Sequence, residues 1–267
     1  MKNFGFLFIP IVMILLMTQV VPRILASGMS PVTMLVITAV FFILMIAVRP
    51  KKAAAKSPQA LIEEIMDDFS ADAFSGNAAL EDKFHGALSD ISKNMPKSAV
   101  SKLTKLADQC SDPKDKYVVA MATAVAYKSQ NDLRNAIREY NKAVVLHPTP
   151  KLAYAIGESN QRLGYLDKAR DSYEFAQELD PKNPQYPSSI ATTYVGDGMY
   201  DDAMDYAADA LALDEKFPQA LATMAICYGL RDNSMMHKHY LDLAVANGYS
   251  ESKISETIKA LKKRDRK

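Results

Sequence analysis

Residues recur in register through the second half of this chain at a spacing of 33 or 34, and that period limits its fold more than any other feature. Small residues stand at Ala124, Gly157, Ala191 and Ala225, separated by 33, 34 and 34. Tyr127, Asn160, Tyr194 and Tyr228 follow one helical turn later at the same separations. Turn-forming residues come next, at Asn131, Gly164, Gly198 and Asp232. Further on, Ala136, Ala169 and Ala203 align, as do Ala143, Ala176 and Ala210, and Leu146, Leu179 and Leu213, with Pro148 and Pro181 as stops. Each unit therefore predicts two helices and a tight turn. Small residues sit where the two axes cross closely, and large ones fill the wider gaps beside them. Such a unit cannot bury its apolar face alone, so neighbours must stack. The stretch from Lys151 to Pro184 is the best-formed copy, with its turn at Leu163-Gly164-Tyr165.

This spacing and residue pattern resembles the tetratricopeptide repeat family over roughly Asp115–Tyr249. The unit at 150–183 carries Gly157, Gly164, Tyr165, Ala169, Tyr173, Ala176 and Pro181, and the unit at 117–148 keeps Tyr127, Ala136, Tyr140, Ala143 and Pro148. The unit at 184–217 departs from the pattern, with Ala207 in place of an aromatic and Glu215 in place of Pro. The unit at 218–249 has His237 where the tight crossing needs Ala, so its two helices are expected to splay or slip by a residue. The expected fold is all-α: about four helix-turn-helix units over 115–249 and a capping helix with a basic tail over 250–267, started by Ser250 and packed through Ile254, Ile258 and Leu261.

The resemblance implies a concave groove, lined by the first helices of successive units, that takes a peptide or a partner helix. On this chain the lining is Met121, Val125 and Lys128, then Tyr154, Glu158 and Gln161, then Ser188, Thr192, Val195, Ala222 and Ile226. Some co-chaperones of the family hold a terminal carboxylate with Lys, Arg and Asn. Here Met121, Val125, Ser188 and Ala222 stand in such places, which favours an apolar or mixed segment.

Ahead of the repeats, Phe4–Val21 and Val32–Val48 are apolar runs long enough to cross a hydrocarbon core of about 30 Å. The short linker between them predicts a two-span hairpin over residues 1–50. Four positive charges follow the second run, at Arg49, Lys51, Lys52 and Lys56, while the linker carries only Arg23. The positive-inside tendency then places the amino end and the repeats in the cytoplasm, at the cell membrane. A signal peptide followed by one anchor is the competing arrangement, though no small-residue cleavage pattern closes the first run.

Residues 1–56 have a net charge of +6 and residues 259–267 a net of +5; removing both from the overall +1 leaves −10 for residues 57–258. An acidic body is unlike a nucleic-acid surface, whereas basic ends suit an anionic membrane face. Between anchor and repeats, residues 51–114 read as a tether and helical connector. Leu61, Ile62, Ile65, Met66 and Phe69 share one helical face, and Asn77 caps a helix with Leu80, Phe84, Leu88 and Ile91 inward. A further helix begins near Pro96 and stops at Cys110–Pro113, and these last two form either a degenerate copy of the repeat or its cap.

Little else suggests chemistry. Cys110 and Cys227 are far apart and outside any CxxC, His237 and His239 point to opposite sides of a helix, and no phosphate loop, nucleophile elbow or HExxH occurs. The expected protein is a membrane-anchored scaffold that binds a protein partner, with no cofactor, metal or catalytic residues. An accessory subunit of a transport or secretion complex is the alternative.

Overall fold

The computed structural model describes residues 65–264, with Ser57, Ala60 and Glu63 ahead of them. The two apolar runs, 4–21 and 32–48, lie outside the described residues. Among the described residues no helix is long and apolar enough to cross a membrane.

Eleven named helices and no strand occur among the described residues: α1 Ala78–Ser92, α2 Pro96–Ala107, α3 Pro113–Ser129, α4 Leu133–Leu146, α5 Pro150–Leu163, α6 Leu166–Leu179, α7 Gln185–Asp197, α8 Tyr200–Leu213, α9 Pro218–Leu230, α10 Ser234–Ala246 and α11 Glu251–Arg264. They pair in order as five antiparallel hairpins, each packed on the next, and α11 lies against α9 and α10.

One turn geometry closes all five hairpins. Asn131, Gly164, Gly198 and Asp232 take φ of 60°, 81°, 82° and 57°. The carbonyls of Tyr127, Asn160, Tyr194 and Tyr228 each accept from the N–H five residues on, at 3.0 Å. This is the left-handed helix stop, which glycine adopts freely and Asn or Asp adopts at small cost. The α1–α2 hairpin repeats it, with Asn94 at φ 58° and Met95 N–H donating to the Asp90 carbonyl at 2.8 Å. Here the offset is 37: Ala87, Asn94 and Ala99 precede Ala124, Asn131 and Ala136, and all four alanines are fully buried. The extra residues fall between Ala99 and Ala124. There Pro113 does not act as a stop. It is the first residue of α3, whose Asp112 cap accepts from Lys114 N–H at 2.7 Å.

The expected splaying of the last hairpin does not occur. The helix starts after Asp132, Tyr165, Met199 and Asn233 stay 33, 34 and 34 apart, and α9 and α10 pack as closely as the other pairs. The small residue has moved to the facing helix: Gly229 makes room for His237, whose Nδ1 donates to the Ala225 carbonyl at 2.8 Å. The aromatic absent at Ala207 has likewise moved by one position. Tyr206 and Tyr240 stack on Tyr194 and Tyr228 at 5.4 and 5.6 Å, whereas the earlier hairpins bury Tyr140 and Tyr173. Both cysteines are buried, and burial pushes the Cys227 thiol up to about 12, so it remains protonated at neutral pH.

Residues 65–76 form a folded segment against the start of α3. Ile65 and Phe74 are buried, and Phe74 N–H donates to Asp115 Oδ1 at 2.6 Å. Asp67 accepts from the Ser70 amide at 3.1 Å, from the Ser70 hydroxyl at 2.8 Å and from the Tyr117 hydroxyl at 2.7 Å. Burial opposes ionisation of Asp67, but the Tyr117 and Ser70 hydrogen bonds and the nearby His147 outweigh it and hold the carboxyl below its ordinary value. A depressed carboxylate adds stability above its unfolded pKa, about 3.9, and loses it as pH falls through the folded value. Acid titration is therefore expected to leave the Ser70 amide signal unchanged down to about pH 4 and to move it below that. A transition near neutral pH is the result that contradicts this assignment.

Candidate functional site

Stacking brings the first helices α3, α5, α7 and α9 side by side, but not all of their predicted lining faces outward. Val125, Lys128, Tyr154, Glu158, Gln161 and Thr192 are partly exposed. Met121, Ser188, Val195, Ala222 and Ile226 are buried, at 4, 0, 6, 1 and 7 % exposure. Ile226, Ala222 and Val195 share an apolar cluster with Ile254 and are joined by Ile258 and Leu261, so α11 contributes to covering that end of the row. Met121 belongs to the cluster that also holds Ile65, at the other end. The predicted lining thus contracts to a central stretch on α3, α5 and α7. Ser188 keeps a buried hydroxyl without a hydrogen-bond partner among the described residues.

In that centre the side chains bind one another. Lys128 Nζ meets Glu158 Oε2 at 2.6 Å, joining α3 to α5. With 30 and 39 % of these side chains exposed, the pair contributes no more than about 1 kcal/mol. Gln161 Nε2 donates to Thr192 Oγ1 at 3.1 Å, joining α5 to α7, and Gln161 Oε1 accepts from the Tyr173 hydroxyl at 2.7 Å. Tyr154 sits in an aromatic group, 5.3 Å from Tyr173 and 6.0 Å from Tyr186, and its hydroxyl accepts from Gln185 Nε2 at 2.7 Å. Burial, with the nearby Tyr154 and Glu158, pushes the Tyr173 hydroxyl well up, so it stays a neutral donor. The result is a fixed surface presenting an aromatic ring edge, an amide, a hydroxyl and one ion pair.

The sequence reading overlooked Gln185. It also overlooked a second spacing that would have found it. Lys128–Glu158 are 30 apart, and Tyr154–Gln185, Gln161–Thr192 and Asn131–Arg162 are each 31 apart. Contacts between successive hairpins join residues one period apart less one helical turn, because the second hairpin is stacked on the first with an axial offset. Complementary polar residues at 30 or 31 carry that signal.

The described chain is thus an all-helical repeat solenoid of the tetratricopeptide type, with a mixed polar and aromatic face across its middle hairpins. Residues 150–183 match the tetratricopeptide repeat family model. No curated protein matches the sequence. Among solved structures, a tetratricopeptide repeat protein from Parabacteroides merdae is similar at a TM-score of 0.61 and 17 % identity, over 69 % of this chain and 73 % of that one. MamA is similar at 0.54 and 18 %, over 64 % of this chain and 96 % of that one. YrrB, described as a TPR protein with an unusual peptide-binding site, is similar at 0.53 and 17 %, over 77 % of this chain and all of that one. At these identities the likeness concerns the fold.

Proposed function

We propose that this protein is a membrane-anchored scaffold whose solenoid holds a peptide or helix of a partner protein across α3, α5 and α7, on the cytoplasmic side. The observation that carries the binding reading is the central surface itself. Tyr154, Glu158, Gln161 and Thr192 remain partly exposed in a row whose two ends are covered. Their hydrogen bonds hold them in place, so binding a partner would cost little further side-chain entropy. A mixed, fixed surface of this kind suits a segment with an aromatic or aliphatic anchor and a few polar groups. The anchoring reading rests on the apolar runs 4–21 and 32–48 and on the charges that follow them.

Crosslinking pull-down from cells tests the surface. Tyr154→Glu together with Thr192→Lys is expected to reduce partner recovery at least about tenfold, since each change of about 1.4 kcal/mol in binding is a factor of ten. Recovery equal to wild type removes the surface from consideration. A reporter fused after Lys267 tests the side: a cytoplasmic signal is expected, and an external one reverses the topology.

A further inference from the structure

The first half of the stripe that α5 leaves open is covered on α3, while Val125 and Lys128 stay partly exposed. One period before Lys151, Tyr154, Glu158 and Gln161 stand Val118, Met121, Val125 and Lys128. Val118 is fully buried and Met121 is 4 % exposed, although both project from the corresponding face. Ile65 is buried in the same apolar cluster, and Met66 and Phe69 pack against that cluster. The Phe69 ring stacks on His147 at 4.3 Å and meets Tyr117 edge-on at 5.6 Å. Tyr117 donates to Asp67, and the Glu63 carbonyl lies 3.5 Å from Nζ of Lys151, a member of the open stripe on α5. Lys114 grips Asp72 at 2.6 Å and sits 6.0 Å from the Phe69 ring.

We infer that residues 65–72, with Glu63 ahead of them, are a ligand held in cis. They occupy on the first full repeat a surface that takes an acidic segment with apolar anchors, and a partner segment of that chemistry competes with them for it. The inference rests on the groove reading above and names the class of segment the groove accepts. The apolar residues Leu61, Ile62, Ile65, Met66 and Phe69 fall at helical spacing, and Glu63, Glu64, Asp67 and Asp68 lie among them. Ala60, Glu63 and Ile65 are helical, whereas Met66 and Asp67 are irregular and residues 68–76 form turns. The receiving side supplies matching features: an apolar cluster that includes Val118 and Met121, a hydroxyl donor at Tyr117, and cations at Lys114 and Lys151. An occupant tethered to its own receptor reduces the apparent affinity of any competitor by the fraction of time the site is free.

The test uses the full chain in mild detergent and a fluorescein-labelled peptide of residues 57–72, read by anisotropy. Phe69→Ala and, separately, Asp67→Asn in the full chain loosen the tethered segment and leave the receiving face intact. Each is expected to bind the peptide at least about tenfold more tightly than wild type, as follows if the site is free less than about a tenth of the time in wild type. Adding Tyr117→Phe should cancel most of the gain, and a peptide carrying both strap substitutions should not bind. Equal affinity for wild type and both variants overturns the proposal, as does a peptide that binds regardless of Tyr117. If Phe69→Ala unfolds the array and Asp67→Asn gives no gain, the segment is ordinary core and the proposal fails. The crosslinking at Tyr154 and Thr192 does not depend on the strap, so the groove reading and this one can fail separately.

Discussion

Tyr173→Ala is expected to cost about 3–5 kcal/mol, measured by urea unfolding of the full chain followed by circular dichroism. The side chain is 1 % exposed, and its ring fills the gap between α5 and α6 beside Gly157. Truncation removes that buried area and leaves a cavity whose walls are helix backbones, which relax little. It also strips Gln161 of the donor at 2.7 Å that orients its amide toward Thr192. Neighbouring hairpins stabilise one another, so the loss should lower the midpoint of the whole array and not of one unit. A cost under about 1 kcal/mol, the scale of a tolerated hydrophobic swap, would mean that the site repacks and that this lock is not what holds α5 to α6.

Gly157→Ala is the complementary change and should destabilise by about 2 kcal/mol. A Cβ at this position would lie 2.5 Å from Cε1 and 2.6 Å from Cδ1 of Tyr173. Overpacking of that severity costs about 3 kcal/mol, while the better helix propensity of Ala returns about 1. The ring cannot swing aside, because it is buried and tied at its hydroxyl. In a Tyr173→Leu background the obstacle is gone, so the double variant should be more stable than the two single losses summed, by at least about 1 kcal/mol. Strict additivity would show that the close approach at Gly157 is not governed by Tyr173. Gly229→Ala meets a similar obstacle: its Cβ would lie 2.7 Å from the tip of Ile258 on α11 and 2.9 Å from Nδ1 of His237. The Ile258 tip can move, but the His237 ring is held to the Ala225 carbonyl, so a loss of about 1–3 kcal/mol is expected here too.

The repeat frame was legible because hairpin closure imposes hard local demands. A left-handed stop accepts Gly, Asn or Asp and little else, and a close helix crossing demands a small residue. Gly164, Gly198, Asn131 and Asp232 therefore marked their turns in the sequence. The unit at α1–α2 satisfies the same demands through Asn94, Ala87 and Ala99, but at an offset of 37, so at a period of 33 or 34 it reads only as a degenerate copy or a cap. His237 misled for a related reason. A crossing needs one small partner, on either helix, and the small residue had moved to Gly229.

The candidate surface was legible only in part. Its stripe follows from the period, and Tyr154, Glu158 and Gln161 could be placed on one face of α5 from spacing alone. Which members of the stripe meet solvent depends on what packs over them, and that is non-local: Ile65 reaches the cluster around Met121, and Ile254 and Ile258 reach the one around Ile226. A one-dimensional period repeats equally at both ends of an array and cannot register that the ends are covered. The sequence alone thus determined the unit, its turns and its small-residue crossings, because those are settled within a single hairpin. Tertiary structure decided the hairpin joints at offsets of 30 and 31, the contraction of the exposed stripe to α3, α5 and α7, and the docking of residues 65–76. Each of those depends on stacking geometry between segments that no local pattern relates.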